Sequence, residues 1–143
     1  MDHRYNLERF LSAQETCYDK AFSEIKNARL VTPCVKIIFP SMRFAAHTAY
    51  DCIYSFSDRE EAKAYIDHPV LGQRLKDLAL LLTEHESNNI RVIFPYAWDI
   101  SVHECMTLFA CLSDDPWVFY DVIVKYFGAM RHHNTLYLIG EEN

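Results

Sequence analysis

The stretch "RVIFPYAWDISVHECMTLF", Arg91 to Phe109, decides how this chain is read. It sets Val102, Cys105, Met106 and Phe109 at helical spacing, and Leu112 continues the row. Leu108 and Cys111 fall off that row, so a helix here is apolar on more than one face and belongs at the centre of a fold. The opening "RVIFP" repeats "KIIFP" at Lys36 to Pro40: a basic residue, three apolar residues and a proline. Little beyond the pentapeptide extends the likeness. Shared punctuation explains it better than duplication, because a proline after an apolar helical turn ends that turn at the same place in both copies.

On either side, helical periodicity dominates. "NLERFLSAQETCYDKAFSEIKN" spaces Leu7, Phe10, Leu11, Cys17, Ala21, Phe22 and Ile25 along one face, with Asn6 as N-cap. "SDREEAKAYI" carries Ser57 and Glu60 in the capping-box pattern and predicts a short helix from Asp58 to about Asp67. "HPVLGQRLKDLALLLTE" starts its helix at Pro69, whose missing N–H costs nothing there, and buries Leu71, Leu75, Leu78, Ala79 and Leu82. "PWVFYDVIVKYFG" has strand-like composition, but Pro116 at its start, Gly128 past its end and the Asp121/Lys125 spacing predict a helix. "CVKIIF", "DCIYSF" and "IRVIF" are too short for periodicity to divide between strand and buried helix, which leaves room for a small sheet. Loops are expected near residues 28 to 33, 40 to 44, 86 to 89 and 113 to 115.

Composition agrees with a packed helical protein. Half of the 143 residues are apolar and 14% aromatic, while only 3 are Gly and 5 Pro, which excludes a low-complexity chain and disfavours turn-rich all-β folds. The expected fold is all-α, one multihelical domain over residues 1–143 with about seven to nine short helices around one core. The net charge of -6, with no clustered basic face, argues against a nucleic-acid surface. No apolar segment is long enough for a signal peptide or a membrane span, so a cytoplasmic protein is expected. Five cysteines without a CxxC pair point to buried, reduced thiols rather than disulfides or a metal cluster.

Complete catalytic motifs are missing. "HECMT" has Thr107 where a zinc protease needs its second histidine, and no glycine-rich phosphate loop or nucleophile elbow occurs, so no cofactor or metal is expected. Asp99, His103 and Thr107 are spaced by four and fall on one helical stripe, where a carboxylate can orient an imidazole for proton transfer. The same pattern suits a helix-end ion pair or a packed histidine. His47 and Asp51 repeat the spacing, and "RHH" at Arg131 to His133 looks like a solvated connection.

The order "YNLERFLSAQE", "IFP", "EEAKAYIDHPVLGQRL", "MTLFA" and "VIVKYFG" resembles domain-of-unknown-function family 1810 over nearly the whole chain. The resemblance implies a multihelical bacterial protein and supplies no activity; the calpastatin-like label sometimes attached to such chains does not suit a packed composition. The family's His-Trp-x-Trp before "IFP" and its Gln after it correspond here to a segment with Pro33, Cys34, Lys36 and Ser41. Ser101 stands where the family has Lys.

Two functions follow as expectations. The first is a noncatalytic binding or protein-interaction module with a protein partner or self-association. The second is a small-molecule enzyme or sensor with a pocket between the two IFP elements, in which Lys36, Ser41, Ser101 and Thr107 bind the ligand and Asp99 with His103 moves a proton.

Overall fold

The computed structural model describes residues 5–43 and 52–141, so His47 and Asp51 lie outside the described residues. Among the described residues eight helices follow one another: α1 Glu8–Lys26, α2 Val35–Ile38, α3 Arg59–Asp67, α4 Leu71–Glu84, α5 Ile90–Ile93, α6 Trp98–Leu112, α7 Trp117–Phe127 and α8 His133–Leu138. No strand or sheet occurs among the described residues; a lone bridge joins Met42 to Phe56. The all-α expectation stands. None of these helices is long and apolar enough to cross a membrane.

Two of the three undecided apolar runs resolve as turns of helix, while "DCIYSF" ends at Phe56 in the bridge to Met42. "KIIFP" and "RVIFP" form α2 and α5, and each ends at the phenylalanine before its proline, where the backbone leaves helical angles (Phe39 φ -127°, ψ 65°; Phe94 φ -120°, ψ 90°). That placement follows from the steric restriction a proline imposes on the residue before it.

Helix α6 is central, as its two apolar faces require. It packs against α2, α3, α5, α7 and α8, and its buried residues include Val102, Cys105, Met106, Leu108, Phe109 and Leu112. Phe109 joins a ring cluster with Phe56 at 6.0 Å, Tyr65 at 5.9 Å and Phe119 at 6.0 Å between centroids. Phe10 of α1 meets Tyr65 at 5.1 Å. Helix α4 buries the predicted Leu71, Leu75, Leu78, Ala79 and Leu82, and Gly72 with them. A Cβ at Gly72 would lie 2.1 Å from the Ile66 carbonyl oxygen, so only glycine lets the start of α4 close against the end of α3.

Several helix-end expectations are corrected. Residue Asn6 does not cap α1: the N-cap is Leu7, without a side-chain cap, and Asn6 contributes only its carbonyl, which accepts from Arg9 Nη1 at 2.6 Å. The capping box of α3 sits one residue later than Ser57/Glu60. Asp58 Oδ1 accepts from the Glu61 N–H, and Glu61 Oε1 accepts from the Ser57 N–H, both at 2.8 Å. Helix α4 begins at Leu71 rather than Pro69; His68 Nδ1 accepts from the Val70 and Leu71 amides at 3.1 and 3.2 Å and holds that start. Lys125 does not serve Asp121. Its ammonium donates to the Thr83 carbonyl at 3.1 Å and to the His85 carbonyl, closing the C-terminus of α4. Gly128 does end α7 in the left-handed region, at φ 60°.

Buried polar groups tie the frame together. Gln14 Nε2 donates to the Ile37 carbonyl at 3.1 Å and to the Tyr65 hydroxyl at 3.0 Å, while Arg74 Nη1 donates to Gln14 Oε1 at 3.2 Å. Arg9 pairs with Glu61 at 3.0 Å. Cys17, Cys34 and Cys105 are buried, Cys111 is half-buried and Cys52 is exposed.

Candidate functional site

The polar residues that sequence singled out on and near α6 do not form one cluster. Asp99, in the first turn of α6, has Oδ2 3.8 Å from Arg91 Nε. Both border a surface depression of about 350 Å³ with Phe94, Pro95, Tyr96 and Ala97. Ser101 is buried on the same helix. The IFP elements themselves touch: the Phe39 and Phe94 rings stand 5.5 Å apart and are fully buried, so rings fill the junction between the two turns.

His103 lies further along α6. Its ring stacks on Phe127 of α7 at 4.0 Å and 4°, and its Nε2 donates to the Met130 carbonyl at 2.6 Å. Asp99 reaches it only through space, raising the imidazole pKa against a larger lowering by burial. His103 therefore tends to stay neutral near physiological pH.

Ser41 by a hydrogen bond and Lys36 by its charge act on a residue that the motif search passed over, Glu104, while Thr107 bonds to His132 instead. Glu104 is only 7% exposed. Ser41 Oγ donates to Glu104 Oε1 at 3.4 Å, and His132 Nε2 stands 3.9 Å from Oε2. Burial raises the Glu104 pKa, while the Lys36 charge and the Ser41 hydroxyl pull it back down. A carboxyl so enclosed, with long contacts on both oxygens, holds its proton to higher pH than an exposed glutamate.

His132 is the second residue missed, and here the "solvated connection" is corrected. It is the N-cap of α8, and its Nδ1 accepts from the Thr135 N–H at 3.4 Å. Its own N–H donates to Thr107 Oγ1 at 2.9 Å, which fixes α8 to α6. Burial lowers its pKa, and the nearby His103 and His133 lower it further. The His103 and His132 rings meet edge to face at 5.4 Å. Both border a depression of about 390 Å³, together with Phe127, Met130, Arg131 and His133. No group of His, Cys, Asp and Glu among the described residues is arranged to hold a metal ion.

A signal for Glu104 was present in the sequence: an acidic residue inside a helix that is apolar on more than one face has little choice but burial. For His132 the signal was a cap-competent side chain before the last apolar run, since a ring nitrogen can accept the orphan amides of a helix start.

Comparison with known proteins places this arrangement among molecules whose activity is open. None of the curated proteins matches the chain. The conserved hypothetical protein Rv1873 from Mycobacterium tuberculosis, solved as a crystal structure, superposes with a TM-score of 0.92 at 29% identity, covering 96% of this chain and 99% of that one. The family model described as "Protein of unknown function (DUF1810)" matches residues 4–139. With its matched span running from α1 through α8, the chain belongs to the DUF1810 family.

Proposed function

We propose that this protein binds a small polar molecule beside Glu104 of α6, where Ser41 and His132 approach the carboxyl and the Lys36 charge acts on it. One observation carries this: a glutamate 7% exposed whose carboxyl contacts, 3.4 Å to Ser41 and 3.9 Å to His132, are longer than those that normally satisfy a buried carboxylate. A buried charge-bearing group held so loosely has a free-energy incentive to acquire a ligand. The adjacent neutral imidazoles supply groups able to take up or release a proton, so the site suits an enzyme as well as a sensor.

A thermal-shift screen of metabolites tests it, because a ligand at 100 times its Kd adds about 2.7 kcal/mol to stability. Hits whose shift disappears in Glu104→Ala and Ser41→Ala support the site. A screen without hits, or hits indifferent to both substitutions, removes it.

The interaction module retains support from a different surface. Trp117, Tyr120 and Val124 are exposed at positions i, i+3 and i+7 of α7 and so form one apolar row. Exposed rows of this kind mark association surfaces. Sedimentation velocity on the wild type and on Trp117→Glu separates the cases: a concentration-dependent dimer lost in the variant supports self-association, and a monomer at all concentrations counts against it.

A further inference from the structure

The depression beside the last helix has an unusual composition for this chain. Its lining is His103 of α6, Phe127 of α7 and the consecutive residues Met130 to Asn134 that run into α8. Four of these seven are His or Arg and none is acidic, although the chain carries 20 Asp and Glu against 14 Lys and Arg. An acidic protein that keeps its carboxylates out of one basic hollow concentrates positive potential there. The volume, about 390 Å³, lies at the lower end of ligand pockets, which run about 300–1,000 Å³, and so suits a molecule of one or two rings.

The hollow is held in shape by its own backbone. Gly128 and Ala129 both take left-handed angles (φ 60° and 64°) and turn the chain sharply after α7. His103 Nε2 donates to the Met130 carbonyl at 2.6 Å and the His132 N–H donates to Thr107 Oγ1 at 2.9 Å, so Arg131 is fastened on both sides. The Arg131 guanidinium bonds to the Cys111 thiol, a weak acceptor that leaves most of its donors available. No carboxylate among the described residues pairs with it. Such a guanidinium recognises a carboxylate or phosphate by paired N–H bonds.

The remaining wall is apolar. The His103 and Phe127 rings stack in parallel at 4.0 Å, and Met130 is exposed beside them. Rings and a thioether favour an aromatic partner. Burial lowers the His103 and His132 pKa values, and neighbouring imidazoles lower them further, His133 acting on both and His103 on His132. The acidic groups facing them are Asp99 on His103 and Glu104 at 3.9 Å from His132. An anion in the hollow offsets the repulsion among the imidazoles and favours their protonated forms.

We propose that this hollow binds a small aromatic anion, with its carboxylate or phosphate on Arg131 and its ring against Phe127 and Met130. The site is separate from the Glu104 carboxyl, which does not border the hollow.

NMR titration of the full chain tests this with phenyl phosphate, benzoate, benzyl alcohol, benzylamine, acetate and inorganic phosphate at millimolar concentrations. At least one of the first two shifts the signals of His103, Phe127 and Met130 to Asn134, and binds about tenfold or more tighter than benzyl alcohol, acetate or inorganic phosphate. Benzylamine does not bind there. The ranking of phenyl phosphate and benzoate distinguishes a phosphate from a carboxylate ligand. Arg131→Gln weakens both about tenfold or more, with the fold retained in thermal unfolding, and Arg131→Lys, which keeps the charge and loses the paired geometry, weakens them less. Benzoate binds more tightly as pH falls from about 8 to about 6, because the imidazoles gain protons. Equal affinity for benzoate and benzyl alcohol, equal affinity for phenyl phosphate and inorganic phosphate, or no effect of Arg131→Gln overturns the proposal. Shifts at Ser41 and Glu104 in place of these residues put the ligand at the site proposed above and overturn this one. No shift with any probe overturns it and leaves the Glu104 site to its own screen.

Discussion

Phe39 and Phe94, the phenylalanines of the two IFP pentapeptides, meet edge to face with ring centroids 5.5 Å apart and an interplanar angle of 88°. The two short helices that end on them are thereby joined, and a further bond from the Leu30 N–H to the Ile93 carbonyl, at 2.8 Å, ties the chain after α1 to α5. The repeated pentapeptide is structural punctuation whose two copies also pack on each other.

Replacing either ring tests that pairing. Phe39→Leu and Phe94→Leu should each cost about 1–2 kcal/mol, and the double variant should fall short of the sum by about 0.5–1.5 kcal/mol, the usual worth of an aromatic pair. Urea unfolding of the four proteins gives the cycle. Strict additivity would show that the rings share a neighbourhood without an interaction.

At Gly72 the sign of a common substitution reverses. Alanine in a helix normally gains about 1 kcal/mol over glycine, but a Cβ here meets the Ile66 carbonyl oxygen at 2.1 Å. Gly72→Ala should destabilise by about 1–3 kcal/mol, the range for overpacking a rigid contact. Chemical denaturation decides it, and a stabilised variant would mean that α3 and α4 separate without cost.

Lys125 and Asp121 separate two accounts of the same lysine. Lys125→Met removes charge-assisted bonds to the Thr83 and His85 carbonyls at the end of α4 and should cost about 1.5 kcal/mol or more. Asp121→Asn should stay within about 0.5 kcal/mol. Equal losses from the two, measured by thermal unfolding, would restore the intrahelical pair as the working interaction.

Stability should have opposed acid and alkaline limbs. The Glu104 pKa is raised on folding, so the unfolded chain binds fewer protons at this group; its contribution is complete below about 4.5 and declines as pH rises through the folded value. His103 and His132 are lowered on folding, so their contribution is complete above about 6.5 and declines as pH falls through their folded values. The charges acting on these groups are Lys36 on Glu104, Asp99 and His133 on His103, and His103 and His133 on His132. Urea unfolding across pH 4 to 8 should show Glu104→Gln flattening the decline with rising pH and His103→Gln flattening the decline with falling pH, within the range about 4 to 8 that these ordinary pKa values define. Parallel profiles for wild type and both variants would place the proton linkage elsewhere.

The frame was legible because its signals are local. The Leu71, Leu75, Leu78, Ala79 and Leu82 row of α4 and the two apolar faces of α6 follow from spacing alone, and the structure buries them as written. The helix ends were less legible, since which of two adjacent residues caps depends on tertiary packing: Glu61 is drawn inward by Arg9, which carries the box from Ser57/Glu60 to Asp58/Glu61. For the candidate site, Lys36, Ser41 and Thr107 were named: Ser41 bonds to Glu104, the Lys36 charge acts on it, and Thr107 bonds to His132. Glu104 was hidden by the comparison with a zinc motif, which made it a ligand's neighbour rather than a buried acid in its own right. His132 was hidden because its closeness to Glu104 comes from the packing of α8 on α6, a long-range contact to which periodicity is blind.

The uneven burial of the cysteines also has a practical side. Enclosure raises the thiol pKa of Cys17, Cys34, Cys105 and Cys111 and so starves them of the thiolate that reacts with electrophiles. Cys52 alone among the five is exposed. A maleimide dye or spin label should attach there first, giving spectroscopists a natural anchor for distance measurements without any engineered cysteine.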